Sequence, residues 1–286
     1  MTIVTHYRSN ETLRSSFNAL AKATFGLDFE NWYQMGYWGD NYTPYSVLED
    51  GKIVANVSLN RTDLVIGGER KRVYQLGTVM TCPEYRNRGY IRCLMAEIEK
   101  DTADADGVYL FANDSVVDFY PKFGFRQDRE YGYSRTVTQT GAPQMVPVKM
   151  DTPENRDRLA AAMAENGFPT ACTMVDNPGL IFFYAAQFMQ ENVYFCEERK
   201  AWAIAEEEDG VLTLHNVFGP GELTLDGVIA AFGAGVREVV LGFAPADPTG
   251  WTCREYHEED CTFFTKGDVF RDFGDRKMRI PTLSHA

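Results

Sequence analysis

Apolar residues fall at Leu13, Phe17, Leu20 and Ala21, a spacing of three and four that predicts an amphipathic helix. Ser9 or Asn10 can cap its start. The period then drops to two. Residues 45–48 run into Asp50-Gly51, a strong hairpin turn, and 53–59 alternate back. Residues 63–66 lead to a second turn, Gly67-Gly68, and 73–81 form a further strand. A basic loop follows Pro83, and helical spacing resumes with Ile91, Leu94, Met95 and Ile98 on one face. Residues 108–112 read as a buried strand. Ser115 caps a short helix through Tyr120, and Phe123-Gly124-Phe125 turns into a last strand pair.

A stretch with Gly141, Pro143 and Pro147, residues 139–153, reads as a linker. Beyond it the order returns. Strands at 193–198 and 201–205 flank Arg199-Lys200, and Asp209-Gly210 turns into a strand at 211–217. A helix over 224–232 and a strand at 238–243 follow. The repeat lies in element order, not in letters. It predicts a mixed α/β fold of two tandem domains, 1–138 and 154–286.

Composition narrows the class. A 286-residue chain that is 44% hydrophobic has enough apolar material for two cores. No run approaches the ~20 apolar residues of a membrane span, and the N-terminus lacks a basic cluster followed by an apolar stretch. Six cysteines form no CxxC pair, as expected of free thiols in a reducing cytoplasm. The net charge of −13 argues against a nucleic-acid partner. Residues 1–140 carry 16 basic and 18 acidic side chains, residues 141–286 carry 12 and 23. The acidic half draws in cationic ligands or serves solubility alone.

The richest local signal is Pro83-Glu84-Tyr85-Arg86-Asn87-Arg88-Gly89-Tyr90-Ile91, between a strand and a helix. N–H groups at a helix start are unsatisfied and lie at the positive end of its dipole. Gly89 lets backbone approach an anion, and Arg86 and Arg88 add charged donors. Such a loop fits a pyrophosphate. Taken alone, it fits an ordinary turn with solvated arginines equally well.

A second segment, from Asn113 to Phe125, follows at fixed order. Together the two resemble the GNAT N-acetyltransferase superfamily over the first half of the chain. Arg86 and Gly89 match the acetyl-CoA loop, Gln/Arg-x-x-Gly-x-Gly/Ala, with Ile91 where Gly or Ala is usual. Asn113, Tyr120, Gly124 and Phe125 match Asn-x-x-Ala-x-x-x-Tyr-x-x-x-Gly-Phe, with Val116 replacing the Ala. The resemblance implies tandem GNAT-like domains and acetyl-CoA as co-substrate, with transfer to an amine in a ternary complex. It implies that Val79, Met80 and Thr81 bond the pantetheine arm through their backbone. Arg86, Asn87, Arg88, Gly89, Tyr90 and Ile91 would hold the pyrophosphate, and Asn113 would help hold the cofactor. Tyr120 would protonate the departing thiolate; without the motif it reads as a core aromatic beside Phe119 and Phe123.

The attacking amine must lose a proton, and the strand 73–81 offers Gln75 but no carboxylate. Asp28, Glu30, the terminal carboxylate of Ala286 and a water relay are the candidates. The stretch from 25 to 45 lies where the superfamily builds its acceptor wall. Asp28, Glu30, Trp32, Tyr33 and Trp38 there suit a small cationic amine, since aromatic faces and carboxylates attract cations. The same aromatics also suit the roof of a core. The second half lacks the loop arginines, and Gly219-Pro220-Gly221-Glu222 opposes phosphate, so a degenerate domain that walls the acceptor site or forms a homodimer is expected. Cys253, His257 and Cys261 would share a helix face, but without a fourth ligand no metal is expected. A non-catalytic acyl-CoA-binding module is the rival reading, favoured by Ile91 and the missing carboxylate.

Overall fold

The computed structural model describes residues 1–285. Two seven-stranded sheets and one three-stranded sheet make up its β-structure. The first sheet begins at β1 (Thr2–Thr5) and adds the hairpin β2 (Tyr42–Glu49) and β3 (Lys52–Arg61). Asp50 and Gly51 turn that hairpin with φ of 50 and 77°, which explains the residue pair found there. β4 (Leu64–Ile66) and β5 (Glu69–Lys71) leave the sheet and pair with β11 (Cys172–Met174). β6 (Val73–Thr81) returns and runs parallel to β7 (Gly107–Ala112).

Helices cover both faces. α1 (Glu11–Phe25) is capped by Asn10, whose Oδ1 accepts from Leu13 N–H at 3.1 Å, and α2 (Glu30–Gln34) follows on the same side. α3 (Tyr90–Asp101) packs Leu94, Met95 and Ile98 on the opposite face, against Val57, Leu76 and Leu110. The helix expected through Tyr120 is instead two short 3-10 turns, Asp114–Val116 and Tyr120–Phe123; Pro121 and Gly124 leave no room for an α-helical ladder.

Strand exchange joins the two halves. Beside β7 the first sheet does not continue with β8 (Arg126–Gln127) but with β17 (Thr262–Lys266), which pairs antiparallel to both. β9 (Glu130–Thr136) crosses the other way. It lies in the second sheet between β15 (Glu238–Leu241) and β16 (Thr252–Tyr256). The rest of that sheet is β10 (Val146–Pro147), β12 (Val193–Cys196), β13 (Ala201–Glu208) and β14 (Val211–Phe218). Position by position the two sheets have one order, each with its sixth strand drawn from the other half. A cut at residue 138 therefore does not separate the two sheets, because each holds one strand from the far side of it. Part of the expected linker is strand, since β10 pairs with β12. α4 (Pro153–Ala164), α5 (Pro178–Phe183) and α6 (Leu225–Ala231) complete the second half, and Thr224 caps α6 as its position before the periodic stretch requires. Among the described residues no helix is long and apolar enough to cross a membrane.

Candidate active site

β6 and β7 pair in parallel only over Val73–Leu76 and Gly107–Leu110, then part. On its other edge β6 carries a bulge against β3, and Thr78 takes φ 48° there. Parting strands leave backbone groups unpaired at the mouth of a wedge. A cleft of about 810 Å³ opens in it.

Every residue expected to hold the cofactor lines this cleft. Val79, Met80 and Thr81 form one side, and Asn113 and Tyr120 the other. The loop from Arg86 to Ile91 closes the end. Gly89 has φ 79°, a conformation that strains any side chain but costs glycine little, and stands at the N-cap of α3. No side chain caps that end, so the first amides of α3 are free for an anion. Arg86 and Arg88 are exposed; Arg88 donates to the Glu84 carbonyl at 2.9 Å and lies over the Tyr85 ring at 4.7 Å. Ile91 packs against the core under α3. Arg92 adds a third cation that the motif did not single out. Among the described residues no carboxylate lines the cleft. An elongated wedge with one cationic end fits the phosphates and arm of acetyl-CoA.

Tyr120 is 4% exposed, and burial pushes its phenol up to about 12. Its ring rests on Phe119, Phe125 and, at 5.7 Å, on Phe264 of the exchanged strand β17. Burial also pushes the Cys82 thiol up, which disfavours a nucleophilic thiolate.

The aromatic stretch goes elsewhere. Trp32 and Trp38 are buried and stacked, with centroids 5.8 Å apart, and their indole N–H groups donate to the Gly179 and Tyr42 carbonyls. Glu30 is held by Arg14 through bonds of 2.7 and 3.1 Å, and Arg14 keeps its carboxyl below the usual carboxylate range. Tyr33 lies under the Arg14 guanidinium at 3.8 Å, and Asp28 accepts from Glu30 N–H. None of the five lines the cleft; Trp32 and Trp38 belong to the core under α1, Tyr33 packs against it, and Asp28 is exposed. Thr24, Phe25 and Leu27 line it instead, from the end of α1. Phe25 and Leu27 fall within the stretch expected to form the acceptor wall, but they carry neither the charge nor the tryptophan and tyrosine faces that singled out its other residues. Ala286 lies outside the described residues.

The second half has a matching wedge, and it is filled. β14 and β15 pair over Val211–Leu214 and Glu238–Leu241 and then part. Gly242 N–H bonds the Leu214 carbonyl, and Thr282 N–H bonds the Gly242 carbonyl, both at 2.8 Å. A Cβ on Gly242 would stand 2.6 Å from Thr282 Oγ1. In the loop, Gly219 N–H is taken by Asn166 Oδ1 at 3.1 Å. Cys253 lies on β16, a strand, so Cys253, His257 and Cys261 do not share the helix face first considered.

The family model for an acetyltransferase (GNAT) domain matches residues 8–127. The fold is similar to that of a conserved protein of unknown function from Enterococcus faecalis V583, a probable N-acyltransferase. The TM-score is 0.62 at 16% identity, over 96% of this chain and 74% of that one. It is also similar to GCN5-related N-acetyltransferases from Kribbella flavida (TM-score 0.56, 15% identity, 92% and 70% covered) and Anabaena variabilis (0.55, 13%, 95% and 74%). These likenesses establish the two-sheet architecture rather than a substrate. No curated protein sequence matches the chain.

Proposed function

The chain carries a GNAT acetyltransferase domain over residues 8–127, and on that premise we propose that it is an N-acetyltransferase, moving acetyl from acetyl-CoA to the primary amine of a small cationic molecule. The observation that carries this reading is the local charge. In a chain of net −13, the cleft presents Arg86, Arg88, Arg92 and the uncapped amides of α3, and no carboxylate among the described residues. Such a wall selects a polyphosphate over the cations that the rest of the surface attracts.

In the proposed reaction a C–N bond forms and the thioester C–S bond breaks. The reacting ammonium first loses one proton to solvent; the neutral amine then gives up a second as the C–N bond forms, and sulfur gains one. Beyond Leu76 the β6 backbone is released from β7, so its groups can bond the pantetheine arm and polarise the thioester carbonyl. With its pKa raised, Tyr120 stays protonated at neutral pH, and its hydroxyl is a donor to the leaving sulfur. A CoA thiol titrates near ~8.5, below this phenol, so Tyr120 stabilises the sulfur by hydrogen bonding while the net proton arrives from the amine. With Glu30 tied to Arg14 and no carboxylate in the cleft, that proton leaves the amine through water. The cationic acceptor is supported by the acidic second half, with 12 basic against 23 acidic side chains.

The test is release of free CoA with a panel of dicationic, neutral and anionic amines at low salt. Dicationic amines are expected to lead, with an acceptor KM that rises with ionic strength. The Arg86→Ala/Arg88→Ala variant is expected to bind acetyl-CoA at least tenfold more weakly. Neutral or anionic amines in the lead would overturn the acceptor class; unchanged affinity in the double variant would overturn the phosphate site.

A further inference from the structure

The turn between β16 and β17 reaches from the second half onto the rim of the cleft. Asp260 stands in it with φ 54°, in a reversal closed by a bridge between Glu258 and Cys261. Its Oδ2 accepts from Asn113 Nδ2 at 2.6 Å, and its Oδ1 accepts from Asp114 N–H at 2.7 Å. Thr262 Oγ1, two residues on, donates to Asp114 Oδ1 at 2.7 Å. Asn113, Asp114 and Asp260 are exposed, and of the four residues only Thr262 is buried. These bonds grip the one turn of the cleft wall that carries Asn113, Ser115 and Val116.

The polarity of the grip matters. A carboxylate accepts hydrogen bonds and donates none. Facing Asp260, Asn113 must turn its –NH2 end toward it, and its carbonyl Oδ1 is left for the opposite side. An exposed asparagine without such a partner exchanges its two ends freely.

We propose that Asp260 is a positioning residue for the acyl donor: it fixes the Asn113 amide so that Oδ1 is the atom presented to acetyl-CoA, where it accepts from an amide N–H of the pantetheine arm. This rests on the acetyl-CoA reading above. The arm carries two such N–H groups, and a reversed Asn113 would set donor against donor. The second half, whose own wedge is filled, thereby sets the hydrogen-bond polarity of the first.

Three variants test this, each with acetyl-CoA affinity by calorimetry, steady-state kinetics and thermal stability. Asp260→Asn lets the amide at 260 donate to Asn113 and turn it over. The Kd for acetyl-CoA is expected to rise about tenfold, with kcat at saturating acetyl-CoA within about twofold and an unchanged melting temperature. In the exchanged pair Asn113→Asp/Asp260→Asn, the amide at 260 donates to the carboxylate at 113, whose other oxygen again faces the cleft. Its Kd is expected within about threefold of wild type. In an Asn113→Ala background, Asp260→Asn should have no further effect. A Kd within twofold of wild type in the single variant overturns the proposal, as does an added effect in the Asn113→Ala background or no recovery in the exchanged pair. If the wild-type chain fails to bind acetyl-CoA, the donor reading itself falls and this proposal with it.

Discussion

The carboxylate of Glu130 accepts a 2.7 Å hydrogen bond from the backbone N–H of Ile280, 150 residues further along the chain. Glu130 opens the exchanged strand β9, and Ile280 begins the run whose Thr282 fills the second wedge. The same run brings the Ser284 carbonyl to Tyr109 OH at 2.6 Å and stacks His285 on Phe111, a residue of the cleft. One buried carboxylate thus anchors a segment that touches both halves.

That carboxylate should make stability depend on pH. Burial pushes Glu130 up to about 7, with Glu258 and Asp128 adding to the rise and Arg279 and the Ile280 N–H opposing it. The folded state favours the protonated form, so its contribution is complete below the ordinary carboxylate pKa and is lost as pH rises through about 7. Glu130→Gln keeps an acceptor for Ile280 and removes the titration. Thermal melts from about pH 5 to pH 8 should show the wild type falling relative to the variant, by on the order of 3 kcal/mol. Parallel curves would mean that Glu130 stays ionised in the folded chain.

Tyr120 invites a sharper kinetic test. If its hydroxyl acts mainly in the transition state, Tyr120→Phe lowers kcat about 10²-fold and leaves acetyl-CoA affinity nearly intact. The ring contacts with Phe119, Phe125 and Phe264 survive this change, so packing is a poor explanation for lost rate. Turnover at the wild-type rate would reduce Tyr120 to a packing residue.

Glu30 provides the contrast. Arg14 is 5% exposed, and Glu30→Gln leaves its guanidinium buried without its ionic partner. A loss of about 1–3 kcal/mol in urea unfolding is expected, with the acceptor KM unchanged. A raised KM at full stability would return this segment to the acceptor site.

Local physics made much of this structure readable. β6 and α3 lie where period and the Gly89 start signal put them, and the hairpin at Asp50-Gly51 needs only the φ those residues supply. The cofactor wall owed less to local physics: the loop from Arg86 to Ile91 reads equally well as a plain turn, and only its pairing with the Asn113–Phe125 segment, through a family resemblance, pointed to the residues that now line the cleft. Strand exchange was not. In β17, Thr262–Lys266, two adjacent phenylalanines break the period of two, and its partners β7 and β8 lie well over a hundred residues away. α5 was missed because Leu180, Ile181, Phe182 and Phe183 are all buried, which erases the helical period. Nor does composition say which way an indole faces. Trp32 and Trp38 donate to backbone carbonyls, a demand that core and binding wall share.

The crossing of β9 and β17 also imposes an order on biosynthesis. When Gln127 leaves the ribosome, the first sheet has every strand but the one between β7 and β8, and both of those edges stand open. About 130 residues must still be made before Thr262 appears, on the order of 10 s at typical elongation rates. Through that interval the nascent first half holds two unpaired edges and a Tyr120 without the Phe264 ring. Chaperone binding should therefore persist until late in translation and end when residues 262–266 emerge, so that neither half matures ahead of the other.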